Sequence, residues 1–542
     1  MLPCLSSVVR RSRGFVLAIT GTICLALSAG GERPASGQRW PLGEDGIQAQ
    51  RLHQAPYFLT GRKIALGQVE IGRPAQFGLD KLVASPPRFR LAGVFFRNQA
   101  AVPNTHLDVH AAMVAEVLIG KDKQFSGVAP QARLYAAALG PVKETFQPEE
   151  CLTSQFIARQ NGGDVRAINL SFGDSLERDP RWPALLDGQS LFSLCLDWLS
   201  QTEKVLFVVA GNQGDGGIPI PTDHYNGMTI AYSTLGTDSP QFNKVDFANL
   251  SGQSLGQRLF RPESNQNNRR SVSLIAPGSQ IITYDLVGKR QRVSGTSFAA
   301  PLVTGTVALL QEAAERLQAQ GRLGQTLDYR QPAVIKAILL NSADKLQDDA
   351  QGHFLGMTRT ILTKNNQTWL QSSAYQNSTI PLDAEMGAGQ LNAFRAFQQL
   401  QAGSWPPTAP VPPLGWHYGQ LDGLSRVHYT LAQSLRGDSF VSVTLVWERT
   451  VRLLDTNHNQ EYDPGENFQA EPLNNLDLQL LDLDNPGGPW PVCLSNSRVD
   501  NVEHLFCAVP RTGHYQIQVN ASGPNPFSHQ AYALSWWTVP EL

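Results

Sequence analysis

The chain has 542 residues, with 44 basic against 46 acidic side chains and 42% hydrophobic content. That length calls for more than one domain. The near-balanced charge gives no basic excess for a nucleic-acid or membrane-surface partner, and the ordinary composition argues against a disordered or fibrous chain.

Residues 1–29 read as a secretory signal. Arg10, Arg11 and Arg13 supply a positive start, Phe15 to Leu27 is apolar but short for a bilayer span, and Ser28 and Ala29 suit cleavage. The expected product is a monomer, secreted or periplasmic, with no membrane span after the signal is removed; an uncleaved anchor is the rival reading. Residues 30–57 are polar, with scattered Gly, Pro and Gln, and suit a short pro-segment or disordered arm.

Ile64 to Val69 is a short apolar run that ends in Glu70-Ile71-Gly72, the pattern of a buried parallel strand. The carboxyl end of such a strand is where open α/β sheets place their chemistry. His106-Leu-Asp-Val-His110-Ala-Ala-Met-Val-Ala opens a helix, and Gly127-Val-Ala-Pro130 is a turn feeding a further strand. Ala167-Ile-Asn-Leu-Ser-Phe-Gly173 and Val205-Leu-Phe-Val-Val-Ala-Gly-Asn-Gln-Gly214 are two more buried strands with polar or glycine ends. Strands are also expected near Met228 to Tyr232 and Val272 to Ile275, and an amphipathic helix over Ala333 to Asn341.

Ser294-Gly-Thr-Ser-Phe-Ala-Ala-Pro301 is a glycine-containing turn followed by an apolar helix that runs to about Gln320. The pattern puts Pro301 in the first helical turn, where a missing N–H costs nothing. Ser297 then stands at the helix N-terminus, where free N–H groups and the macrodipole favour a developing oxyanion. A Ser in that place is more often a simple cap.

Gly-Thr-Ser-x-Ala-Ala-Pro resembles the nucleophile motif of the subtilisin-like serine proteases (subtilases, peptidase family S8), and the resemblance extends over about residues 60 to 400. It implies an α/β, three-layer fold with a mostly parallel central sheet over residues 58–400. It also implies a serine endopeptidase that cleaves polypeptides through an acyl-enzyme. Carried onto this chain, Ser297 is the nucleophile and His110, with Val114-Ala115 four residues on, is the base. Glu70 stands where the family has an aspartate, one methylene longer. Asn212 is the oxyanion donor beside the Ser297 N–H. Ser171, Phe172 and Gly173 form the edge that pairs with the substrate backbone. Asp108 is a rival acid, but it starts only two residues from His110, a poor geometry for the far ring nitrogen.

Glu70, together with Ala111 and Met113 in place of the family's Gly and second His, motivates a competing reading: a catalytically impaired subtilase-fold binding or scaffold protein. No cofactor is expected for catalysis.

Trp405-Pro-Pro-Thr-Ala-Pro-Val-Pro-Pro413 marks a stiff linker within 401–415. Beyond it the period becomes two: Val441, Val443, Leu445, Trp447; Leu476, Leu478, Leu480; Tyr515, Ile517, Val519; Tyr532, Leu534, Trp536. That repetition predicts an all-β sandwich or jelly roll over 416–542. Within it, Asp455, Asn457, Asn459, Glu461, Asp463 and Glu466 fall at the spacing of a calcium loop, with Gln460 where its glycine belongs, so a structural Ca²⁺ is expected. Export leaves four cysteines. Cys493 and Cys507 flank neighbouring strands and can pair; Cys151 with Cys195 follows by domain membership, against the alternative of buried thiols.

Overall fold

The computed structural model describes residues 40–541, apart from 82–87, 123–124, 212–218, 237–241, 248–264, 324–325, 424 and 523–527. The central sheet takes β1 (Ala65–Glu70), β2 (Leu91–Phe96), β3 (Gln99–Ala100), β4 (Arg133–Ala138), β5 (Val165–Leu170), β6 (Leu206–Ala210), β7 (Met228–Leu235), β8 (Phe242–Phe247) and β9 (Val272–Pro277). A hairpin of β10 (Ile281–Tyr284) and β11 (Arg290–Val293) follows, and β12 (Thr360–Leu362) closes one edge of the sheet. The order is β12-β8-β7-β6-β5-β1-β4-β2-β3, with β9 also on β7. Within this sheet, among the described residues, only the β2–β3 and β7–β8 strand pairs are antiparallel.

Every residue of β1, β5 and β6 is buried, because helices cover both faces. One face packs against the helices Val109–Ile119, Thr296–Ala319, Pro332–Asn341 and Ala393–Gln401. The other packs against Gln147–Ala158 and Leu191–Glu203, which the Cys151–Cys195 disulfide joins. The register sets Glu70 beside Ala138 and Val69 beside Leu170, so the carboxyl ends of the middle strands lie level.

The C-terminal region adds β13 (Leu414–Leu421), β14 (Arg426–Thr430), β15 (Phe440–Trp447), β16 (Val451–Leu454), β17 (Asn467–Ala470), β18 (Asn475–Asp482), β19 (Trp490–Ser495), β20 (Val502–Ala508), β21 (Tyr515–Ser522) and β22 (Gln530–Trp537). Two four-stranded antiparallel sheets result, β13-β22-β15-β20 and β14-β21-β18-β19. Their alternating apolar residues, among them Val441, Val443, Leu445, Leu476, Leu478 and Leu480, share one core. The cysteines near the strand ends are also joined, Cys493 to Cys507. They sit on consecutive strands that belong to different sheets, so the bridge ties sheet to sheet rather than neighbour to neighbour.

Two features depart from the period-two reading. All eight positions of β15 are buried, including its polar face. Ser442 and Thr444 on that face donate to Asn341 at the end of the Pro332–Asn341 helix. The β16–β17 hairpin leaves both sheets and buries Val451, Tyr462 and Phe468 in the core beside the Leu191–Glu203 helix. Arg449 reaches the same helix as a buried ion pair with Asp197. The proline-rich segment is packed as well, with Val411 in the core.

Candidate active site

β1 delivers Glu70 to the open end of the sheet, where it is only 2% exposed. The chain then turns through Gly72, where a Cβ would lie 2.3 Å from the Asp108 Cβ, so only glycine lets the two loops meet. Arg73 N–H donates to His106 O at 2.8 Å, and Asp108 N–H donates to Arg73 O at 3.0 Å. A bidentate, fully buried Arg73–Asp80 pair braces the same loop. Asp108 caps the Val109–Ile119 helix by accepting from Ala111 N–H at 2.7 Å. It is thereby spent on the backbone and places His110 in the first turn.

His110 Nδ1 lies 3.4 Å from Glu70 Oε2. Glu70 Oε1 is buried without a hydrogen-bond partner. Burial raises the Glu70 carboxyl above its ordinary value, and the His110 charge opposes this. Burial alone would lower His110, but the Glu70 charge and its bond outweigh that and raise it. The pair is therefore set to stabilise an imidazolium and to fix Nδ1 as the protonated nitrogen, leaving Nε2 for chemistry.

The Ser297 turn opens at Gly295, whose φ of 149° belongs to a region that favours glycine. The helix starts at Thr296, one residue earlier than expected, so Pro301 stands beyond the first turn and inside the helix. A residue there would normally donate its N–H to Ser297 O. The Ser171 hydroxyl donates to that carbonyl instead, at 3.1 Å, and itself accepts from the Asn169 amide at 2.9 Å. The proline defect and the end of β5 are thus matched, and together they pin the backbone of residue 297. The Phe298 ring lies 5.6 Å from the His110 ring, so the base and the serine-bearing turn are neighbours.

Ser171 acts here as a backbone tie. Phe172 points into the core, stacked on Phe192 at 5.9 Å, so its side chain faces away from the open end of the strand. Just past Gly173, Asp174 and Ile220 exchange backbone hydrogen bonds at 2.8 and 3.1 Å. Asn212 lies outside the described residues.

Among the described residues no group of three or more His, Cys, Asp or Glu side chains is placed to hold a metal ion. In the 455–466 loop, Asp455 accepts from the N–H groups of His458 and Gln460, Asp463 from the amides of Asn457 and Asn459, and Glu466 from Thr456 and Asp463. Glu461 pairs outward with Arg159. Of the six side chains expected to bind calcium, five are engaged within the loop and Glu461 with Arg159.

The spacing of these motifs has a counterpart in known proteins: residues 93–358 match the model of the subtilase family, Peptidase S8. Residues 93–358 therefore resemble a subtilisin-like serine protease domain. The match includes His110 and Ser297 and begins after Glu70. This chain is 24% identical over 299 residues to a thermostable alkaline protease of Halalkalibacterium halodurans, covering 54% of this chain and 69% of that protein. It is 26% identical over 286 residues to pyrolysin of Pyrococcus furiosus, covering 47% of this chain and 18% of that much longer one.

Similar solved structures include MycP1 with its N-terminal propeptide removed (17% identity, TM-score 0.39, 67% of this chain and 96% of that one). They also include the prenylagaramide maturation protease PagA (18% identity, TM-score 0.41, 65% and 98%). At family level the chain is a serine-type peptidase with polypeptide substrates. Among the described residues no helix is long and apolar enough to cross a membrane.

The capping role of Asp108 is readable in sequence as an Asp before an apolar run. The tie between Ser171 and the carbonyl orphaned by Pro301 is not, since it joins segments 126 residues apart.

Proposed function

We propose that this chain is a secreted serine endopeptidase working through a Glu70–His110–Ser297 triad, with Asn212 and the Ser297 N–H as oxyanion donors. The observation that carries the reading is the buried Glu70 carboxylate 3.4 Å from His110 Nδ1, with the His110 ring against the residue that follows Ser297.

Neutral His110 takes the Ser297 proton on Nε2 as the hydroxyl attacks the substrate carbonyl. Glu70 stabilises the imidazolium and stays ionised while doing so. The proton then passes to the leaving amine, and the acyl-enzyme is hydrolysed by water activated in the same way. The uncapped turn at Gly295 has no side chain competing for its N–H groups, which suits an oxyanion. Secretion follows from the leader-like residues 1–29 and accords with two disulfides.

The test is fluorophosphonate labelling of folded protein, with hydrolysis of a denatured protein followed in parallel. Labelling at Ser297 with turnover supports the enzyme. Folded protein that neither labels nor cleaves would instead be the scaffold protein that Glu70 and the altered His110 helix suggest.

A further inference from the structure

Glu116 is the only acidic side chain in the Val109–Ile119 helix, whose remaining positions after His110 are apolar. It is half-buried, and its Oε2 accepts the Tyr284 backbone N–H at 2.6 Å. Tyr284 ends β10 and pairs with Arg290 at the start of β11, which runs straight into Ser294–Ser297. The base of this hairpin is fixed by Gly295 N–H donating to Gly278 O at 2.8 Å and Gln280 N–H donating to Ser294 Oγ at 2.9 Å. One carboxylate therefore bonds the helix that carries His110 to the hairpin that delivers Ser297.

The surroundings are charged but do not neutralise it. Arg88 lies 3.5 Å over the Tyr284 ring and pairs with Asp122, and Arg290 lies 5.0 Å from the Phe125 ring. Asp285 holds the hairpin turn by accepting from the N–H groups of Val287 and Lys289. Among the described residues no cation is ion-paired with Glu116.

We propose that Glu116 is a positioning residue for the hydrolysis, its ionised carboxylate holding the Ser297 hairpin in register with the His110 helix. The proposal rests on the peptidase reading above. A hydrogen bond to an ionised acceptor is roughly twice as strong as one to a neutral acceptor. Burial pushes Glu116 up to about 7, with Asp122 and Asp285 adding to the rise and the Tyr284 N–H and Arg88 opposing it. Its value in the fold thus lies above the ordinary 4.5, so the folded protein gains stability from holding this proton and loses it as pH rises through about 7. Ionised Glu116 serves geometry at the expense of stability, and a residue with a merely structural role would not show that opposition.

The experiment measures kcat/KM for a peptide substrate, and the rate of fluorophosphonate labelling, against pH for the full chain and for Glu116→Gln. The glutamine keeps an acceptor for Tyr284 and removes the charge. In the wild type, log kcat/KM should fall on the acid side more steeply than slope one over about one decade of rate, from His110 and Glu116 together, before returning to slope one. The variant should fall with a slope of one and be about tenfold slower at alkaline pH, with a Tm equal to or above wild type there. Identical acid limbs and rates would overturn the proposal, as would an activity loss matched by a fall in Tm. A wild type that neither labels nor cleaves sinks the peptidase reading and this proposal together, whereas an active wild type with an unaltered profile in the variant sinks this proposal alone.

Discussion

Glu70 and Glu466 each end a stretch of sequence read as a functional acid, and the fold treats them in opposite ways. Glu466 has both oxygens occupied: Oε1 accepts from the Thr456 N–H and hydroxyl, and Oε2 from the Asp463 N–H. Those backbone bonds hold it below its ordinary value. Glu70 has one oxygen toward His110 and the other buried with no hydrogen bond, and burial holds it above its ordinary value. A carboxylate satisfied by local N–H groups fastens a loop. One left short of partners in a buried place concentrates its field on the single group it faces, which here is an imidazole.

The contrast is broken or sharpened most strongly at the nucleophile. Ser297→Ala should abolish labelling and lower kcat by ~10⁴-fold or more, with the melting temperature kept. Glu70→Gln should cost about 10²–10⁴ in kcat while labelling at Ser297 slows but persists; a near-wild-type rate would move the acid's role elsewhere.

Tyr462→Ala, in the loop closed by Glu466, should do the reverse. Tyr462 is fully buried, clasped at N–H and C=O by the Gln155 amide (2.8 and 3.2 Å) and stacked on Phe468. Losing it should cost about 3–5 kcal/mol in denaturant unfolding and leave kcat/KM within about twofold.

The pH dependence is a finer test. His110 is raised above 6.5 by Glu70, so the neutral base is recovered only above that value and kcat/KM should climb with pH through it. The same shift gives stability that is present below the unfolded value and lost as pH rises past the folded one. In Glu70→Gln the limb should move to lower pH. The smallest expected effect is from chelator. A fall in Tm with EDTA would show an ion held by the 455–466 loop, and an unchanged Tm would show a loop closed by its own hydrogen bonds alone.

Much of the site is legible in the residue order. Ile64–Val69, Ala167–Leu170 and Val205–Ala210 are mostly apolar runs because both faces of their strands are covered, with only Gln68 and Asn169 as polar members, and their ends gather at one edge of the sheet by register alone. The Ser297 helix starts one residue from where its motif puts it, because the motif carries no measure of where helical geometry begins, and the place of Pro301 shifts with it. Glu116 gives no signal in sequence, because a lone acid in an apolar helix has no local pattern; its partner is a backbone amide far along the chain.

Residue order by itself determined most of the inner strands of the central sheet, which serine begins a helix, and that the last third alternates with period two, since each follows from burial repeating along the chain. The tertiary structure alone decided what the polar groups do. It set Ser442 and Thr444 against Asn341 instead of water, buried Tyr462 in the other half's core, spent Asp108 on a helix end and left Glu70 to His110. A hydrogen bond acts over about 3 Å and takes whichever partner the packing brings that close, so its choice is not written in any neighbourhood of the sequence.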